Sequence, residues 1–378
     1  MPDSVKIDVD PKLLRWAIER SGYDPKSLHE RIAERFGSKY FTRDYLDDIL
    51  EGKRRPGLTD IKKIDSFLKR GIPFYFISFI PKEHILTEYR RSKDVRFSPK
   101  AELQLRKYNE MREELKLLLE EHEMDIERKV DVFDPKDDPS MVADHLRDIL
   151  IYNPSDWKER DPKQVFEYLR SSIEKLNLFV FKDNLVEGMR GCVFLGGNLP
   201  SLILVKSDDD KNGEIFTLVH EFSHYLLESE DVLFLQEEDS SVERWCNEVT
   251  ASFLMNRTED RMEEIEPSNR DDLLSEERIM EISRSYKLSK NAIMLKYLHR
   301  GIIREIEYRS FLKAYSGNGA EKRGGGGNYH YTNRDRLSDR FMDLVRRSYS
   351  EGMISLHDTM EYLNIKDSKR IQHYIEAV

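Results

Sequence analysis

The sequence predicts an α+β chain: a small β-sheet packed on a helix with metal-ligand spacing, between helical regions on either side. Three observations carry this expectation. His220-Glu221-Phe222-Ser223-His224 lies in an apolar, helix-like run. Three short runs rich in β-branched and aromatic residues precede it, at Leu176–Phe181, Gly191–Leu195 and Leu202–Val205. Helical periodicity fills most of the remaining chain.

Residues 11–70 read as four short helices. Leu13, Leu14, Ala17 and Ile18 give the first its apolar face, and Ser21-Gly22 ends it. The second runs from about Pro25 to Phe36, with Leu28, Ile32 and Ala33 inward and Gly37 beyond its end. Thr42 is the expected N-cap of the third, which contains Tyr45, Leu46, Ile49 and Leu50 and closes at Gly52. The fourth carries Ile61, Ile64, Phe67 and Leu68, and an apolar stretch, Phe74–Ile80, follows. A charged helix is expected from about Lys100 to Lys129, with Leu103, Leu105, Met111, Leu115, Leu118 and Leu119 as its stripe. Pro135, Pro139, Pro154 and Pro162 break residues 131–163 into turns and a short helix near Met141–Ile151. After the strands, helices return at Ile215–Glu228, Ser241–Met255 and about Glu276–Leu298. The glycine-rich residues 317–327 read as a flexible loop, and a last helix pair covers roughly Asp335–Glu351 and Ser355–Leu363. The expected divisions are 1–82 (helical), 83–163 (helical linker), 164–316 (sheet and metal helix), 317–334 (glycine-rich loop) and 335–378 (helical).

Composition narrows the class. At 378 residues the chain is too long for one ordinary domain. Hydrophobic residues at 39% suffice for real cores, so the 35% of charged residues reads as solvated helix faces rather than disorder. No apolar run approaches the roughly 18 residues of a membrane helix, and the start lacks a signal-peptide pattern. Cys192 and Cys246 are the only cysteines, which excludes a disulfide framework or a cysteine-rich metal site. A cytoplasmic protein with no membrane partner is expected. The net charge of -10 gives no global attraction to nucleic acid.

The chemistry concentrates at His220 and His224. Four residues apart on a helix, their imidazoles share one face and can bind one ion. Zinc is the expected ion, since it lowers the pKa of a coordinated water that Glu221 can deprotonate before passing the proton to a leaving amine. Phe216, Leu218, Val219, Phe222, Leu226 and Leu227 should bury this helix. A catalytic zinc needs a third protein ligand. The next helix, Ser241–Met255, turns Val242, Trp245, Cys246, Val249 and Phe253 to one face and places Glu243 near its start, with Asn247 one turn on. Glu243 is therefore the better-placed ligand, Asn247 its possible hydrogen-bonding support, and Glu248 the competitor. Cys246 and Cys192 read as packing residues. His29, His84, His122 and His145 lack partners at ligand spacing and read as surface or satisfied histidines.

At these residues the chain resembles the ImmA/IrrE metallopeptidase family. Ile215-Phe-Thr-Leu-Val-His-Glu-Phe-Ser-His-Tyr-Leu-Leu227 is similar to its metal helix, and Glu243-Arg-Trp-Cys-Asn247 through Leu254-Met255 to its second helix. Arg190-Gly191 and Leu199–Val205 look like its strand region. Asn256 and Lys206 depart from residues common in the family, outside the proposed metal shell. The resemblance implies a zincin-like metallopeptidase domain, His220, His224 and Glu243 as zinc ligands, and Glu221 as general base. The N-terminal helices resemble an XRE-type helix-turn-helix module, most clearly at Leu50-Glu-Gly-Lys-Arg-Arg-Pro56. The C-terminal part looks like the tail of long family members, which often accompany toxin–antitoxin or mobile-element genes.

Residues 1–80 hold 16 Lys+Arg and 13 Asp+Glu, a mild balance of +3. The helix expected to enter a DNA groove carries Asp44, Asp47, Asp48 and Glu51 against only Arg43. Carboxylates facing phosphates are repelled, so weak DNA contact and a protein-docking role are expected. Three functions compete: a zinc endopeptidase cleaving a protein partner such as a repressor or toxin, a zinc-stabilised antitoxin or binding module, and a DNA-binding regulator. The strand before the metal helix is a candidate to pair with an extended substrate. Candidate donors to a transition-state oxyanion are Tyr225, His299, Tyr329, His330 and Tyr331.

Overall fold

The structure is a computed structural model. It describes residues 6–37, 39, 41–81, 98–186, 189–227, 241–255, 275–299, 301–315, 329–365, 371 and 374. The chain forms two compact units, Met1–Met111 and Arg112–Val378. The glycine-rich residues 317–327 and His84 lie outside the described residues.

In the first unit the helices are α1 (Pro11–Glu19), α2 (Pro25–Phe36), α3 (Arg43–Leu50) and α4 (Leu58–Leu68), followed by a 3-10 turn over Ile72–Phe76. Local chemistry sets their starts. Asp10, Asp24 and Thr42 each accept backbone N–H groups that the first turn leaves unpaired. The apolar faces converge on one core that includes Leu14, Ile18, Leu28, Ile32, Phe41, Leu46, Ile61 and Ile64. α5 (Pro99–Glu121) is shorter than its charge pattern suggests, with Glu123 in the left-handed region at φ 54° just beyond it. Leu103, expected in its buried stripe, is exposed.

The second unit contains α6 (Pro139–Ile149), α7 (Pro154–Trp157), α8 (Pro162–Glu174), β1 (Leu178–Asp183), β2 (Gly191–Phe194), β3 (Ser201–Lys206), α9 (Lys211–Leu227) and α10 (Ser241–Leu254). The sheet has order β1-β3-β2, with β1 parallel and β2 antiparallel to β3. Its strands are almost wholly buried, as continuous apolar runs require. α9 packs on β2, β3, α8 and α10, so the helix with the histidine pair lies in the centre of the core. Because β3 has a partner on each side, it offers no edge to a substrate; that expectation is corrected, and β2 is the strand that meets α9 from the edge of the sheet.

The helix expected at Glu276–Leu298 is two helices, α11 (Glu276–Tyr286) and α12 (Lys290–His299). The break falls at Lys287, whose φ of 59° no α-helix accommodates. After α13 (Glu305–Tyr315) come α14 (Tyr329–Arg336), α15 (Asp339–Ser350) and α16 (Leu356–Tyr362). α14 and α15 pack on β1. There a buried charge network joins them to α9. Lys182 of β1 lies 3.3 Å from Glu214 in the first turn of α9 and 2.7 Å from Asp335. Arg170 of α8 donates to the carbonyls of Asp335 (3.0 Å) and Leu337 (3.3 Å).

Candidate metal centre

Both ends of α9 are fixed by polar contacts. At the start, Asp210 Oδ1 accepts the N–H groups of Asn212 and Gly213, which begins the helix earlier than its apolar pattern shows. At the end, the Leu226 carbonyl accepts from Arg128 (3.1 Å) and from the Phe133 N–H (3.0 Å). A cation on carbonyls left free at a helix C-terminus also suits the helix dipole. Ser223, inside the motif and fully buried, donates back to the Val219 carbonyl at 2.8 Å and so leaves no unpaired hydroxyl. α10 is held similarly: Arg147 donates to the Phe253 carbonyl at 3.2 Å and to those of Ser252 and Met255. The Trp245 indole donates to the Asp137 carbonyl at 2.8 Å.

These two helices bring three side chains to one point. His220 Nε2 is 3.3 Å from Glu243 Oε2, His224 Nε2 is 3.1 Å from Glu243 Oε1, and the two Nε2 atoms are 3.1 Å apart. Two imidazole nitrogens cannot turn lone pairs on each other at that distance unless a proton or cation lies between them. Ligands of a tetrahedral ion with bonds of about 2.0–2.1 Å are about 3.3 Å apart, so the observed spacings suit one divalent ion. Among the described residues this is the group of three His, Cys, Asp or Glu side chains with such convergence. Phe216, one turn before His220, stacks on its ring at 6.1 Å. Both Nδ1 atoms are buried with no hydrogen-bond partner among the described residues, so packing orients these rings.

The carboxylates differ in their surroundings. Burial alone would raise Glu243, but hydrogen bonds and charge from His220 and His224 outweigh it and hold the carboxyl well below its usual range. Burial pushes Glu221 up to about 7, with Glu243 adding to the rise and His220 opposing it. Glu248 lines a recess with Trp245, Arg244 and Pro135–Pro139, away from the trio. Asn247 makes no hydrogen bond to the trio among the described residues.

Cys246 is fully buried, and burial, then Glu243 and Glu221, raise its thiol far above the usual value; Cys192 is buried as well, and neither is in a disulfide. His29 meets the Phe41 carbonyl, His122 the Ser348 hydroxyl, and His145 Asp131. Tyr225 packs in the core against Phe222, beneath the Arg128 guanidinium at 4.3 Å. The side chains of His299, Tyr329, His330 and Tyr331 lie outside the described residues. Gly191, placed above in the strand region with no role of its own, has its backbone against Glu221; a glycine inside a strand is itself a signal of close approach.

A search of curated proteins and a search of solved structures returned no match. No helix of the described residues is long and apolar enough to cross a membrane. A scan against family models matched one stretch, which spans β1 to β3, α9, α10 and most of α12 and so contains the whole trio. Residues 174–296 match the peptidase family described as the IrrE N-terminal-like domain, in support of the ImmA/IrrE resemblance.

Proposed function

We propose that the chain is a zinc-dependent endopeptidase-like regulator that acts on a protein partner such as a repressor or toxin. The observation that carries this reading is the convergence of His220, His224 and Glu243, with Glu221 next to the first ligand in sequence. His220 and His224 through Nε2, and Glu243 through its carboxylate, would hold the ion. Bound zinc would supply Lewis acidity, lowering the pKa of water and polarising a carbonyl oxygen. Glu221 would accept the proton of the attacking water on its carboxylate and return it to the leaving amine. Arg128 and Arg147 would keep the two ligand helices in register by capping their C-terminal carbonyls.

A second observation concerns the N-terminal unit and favours protein docking over DNA there. Arg43, the one cation of α3, is bound by Asp47 at 2.8 Å. The rest of that helix surface offers carboxylates, which phosphates repel.

Co-expression with the product of the adjacent gene, followed by intact-mass analysis, tests the proposal. Wild type should cut its partner, and Glu221→Gln should leave the partner whole while retaining the metal. If wild type cuts nothing and Glu221→Gln neutralises a toxin partner as fully as wild type does, the peptidase reading fails. The chain is then a zinc-stabilised antitoxin, and variants of the metal ligands should lose neutralisation through misfolding.

A further inference from the structure

Gly191 opens β2 at a point where the strand touches α9. A Cβ built on it would lie 2.5 Å from Glu221 Oε1, 2.7 Å from Glu221 Cγ and 2.6 Å from Thr217 Cγ2. Real Cβ atoms essentially never come within 3.0 Å of a heavy atom in a residue remote along the chain. Thr217 and Glu221 are four residues apart, so they stand together on one face of the helix. The backbone of Gly191 fills the space immediately above that face.

The glycine is needed here for room, not for conformation. Gly191 is absent from the glycines with positive φ, in contrast to Gly37 and Gly52. Nor can the strand easily move away. Gly191 pairs with Val205, and the Arg190 carbonyl just before it accepts the Lys206 N–H at 2.8 Å. Cys192, Val193 and Phe194, which follow, are all buried. An added methyl group therefore displaces the Glu221 carboxylate or pulls the strand off the helix.

We propose that Gly191 is a positioning residue for Glu221: the bare backbone of β2 is the wall that aims this carboxylate at the ion site. The inference rests on reading Glu221 as the proton acceptor. It makes no demand on the ligand trio, because the three atoms nearest the missing Cβ belong to Thr217 and Glu221 alone.

The test uses the full chain with Gly191→Ala, Glu221→Gln, Glu221→Ala and the Gly191→Ala, Glu221→Ala pair. Metal content, the visible spectrum of the protein loaded with Co2+, thermal stability and partner cleavage are measured. Gly191→Ala should hold the same metal content as wild type. Its cobalt bands should shift as those of Glu221→Gln do, because both remove the ordered carboxylate beside the ion. Cleavage should fall roughly a hundred-fold or more, the usual cost of a lost general base. The melting temperature it loses should be partly recovered when Glu221→Ala removes two of the three obstructing atoms, Thr217 Cγ2 being the third. A merely structural glycine would lower stability without moving the cobalt bands. Wild-type bands in Gly191→Ala, or an equal stability loss with and without the Glu221 side chain, would overturn the proposal. If Gly191→Ala does not fold, the same change is made with Glu221→Ala and Thr217→Ser together; restored folding supports the contact, and continued failure overturns it. If wild type cleaves no partner, the peptidase reading fails by itself, while the cobalt spectrum and the stability comparison still decide the role of Gly191.

Discussion

Glu243 reaches from the first turn of its own helix to His224, placing Oε1 3.1 Å from that residue's Nε2 while Oε2 lies 3.3 Å from His220. One carboxylate thus faces both histidines. We expect about one divalent ion per chain, lost in a His220→Ala, His224→Ala double variant. Glu243→Ala should release the ion to a competing chelator at markedly lower chelator concentration than wild type needs. Glu248→Ala should not, since Glu248 lines a different recess. Metal analysis and chelator titration read both, and the opposite ranking would transfer the ligand to Glu248.

Much of this centre was legible in the sequence because its parts are local. A four-residue histidine spacing fixes a shared helix face, and the apolar stripe of Ser241–Leu254 fixes which way Glu243 turns. The N-cap Thr42 was similarly readable. What escaped depends on contacts between distant segments. Nothing near Lys182 in the sequence shows that it will be buried between Glu214 and Asp335. The left-handed turn at Lys287 breaks an apolar period that continues across it. The three strands were placed to within two residues, yet their order was not, because β3 follows β2 in sequence and still inserts between β1 and β2.

The Lys182 network should show as non-additive stability. The Lys182 and Glu214 side chains are both almost fully buried, and Lys182 also lies over the Phe166 ring at 4.5 Å. Lys182→Met takes away the buried cation of Glu214 and leaves it only the exposed Lys211 ammonium, 2.7 Å from its other oxygen, so the loss should stay at or below the about 3–5 kcal/mol of a fully unpaired buried charge. Asp335 is partly exposed and can turn to water. Adding Glu214→Leu removes a carboxylate that only the exposed Lys211 would still balance, so the double variant should be more stable than Lys182→Met alone. Denaturant titration of the variants measures this, and simple additivity would show that the pair is not coupled.

Glu174 should give the fold a pH dependence of its own. Its Oε1 accepts the Val180 N–H and its Oε2 the Arg340 N–H, both at 3.1 Å, tying α8 to β1 and to the start of α15. Burial pushes its carboxyl up to about 7; Ser338, Arg170 and the Arg340 N–H oppose the rise and Asp339 adds to it. The folded state therefore holds this proton more tightly than the unfolded state does. Its contribution is complete below the ordinary value of 4.5 and is lost as pH rises through 7. The difference is of order 3 kcal/mol between pH 4 and pH 8. Glu174→Gln removes the titrating group, at the cost of one of its two accepted N–H bonds, so its stability should fall less than that of wild type from pH 5 to pH 8. Parallel melting curves for the two proteins would refute the assignment.

The last expectation concerns nucleic acid and the N-terminal unit. Its most basic run, Lys53-Arg54-Arg55, is partnered within the unit: Lys53 meets Glu51, Arg54 lies over the Tyr45 ring at 4.9 Å, and Arg55 is 3.5 Å from Asp8. Exposed pairs of this kind are worth about 0–1 kcal/mol each, so pairing alone would not keep these cations from phosphate. The decisive term is the surface of α3, where Asp44 is exposed, Asp47 and Asp48 are half-buried and Asp47 holds Arg43. A phosphate brought to that surface meets more carboxylates than cations. The full chain should therefore bind duplex DNA weakly and with a shallow salt dependence. Contact through the basic run alone involves about three phosphates, which corresponds to a slope of log affinity against log salt of roughly −3. Replacing Lys53, Arg54 and Arg55 by glutamine should abolish even that, while Asp44→Asn with Asp48→Asn should strengthen it. Fluorescence anisotropy across a salt series reads all three proteins. Nanomolar, sequence-selective binding by wild type at physiological salt would reverse the assignment and make the N-terminal unit a DNA reader after all.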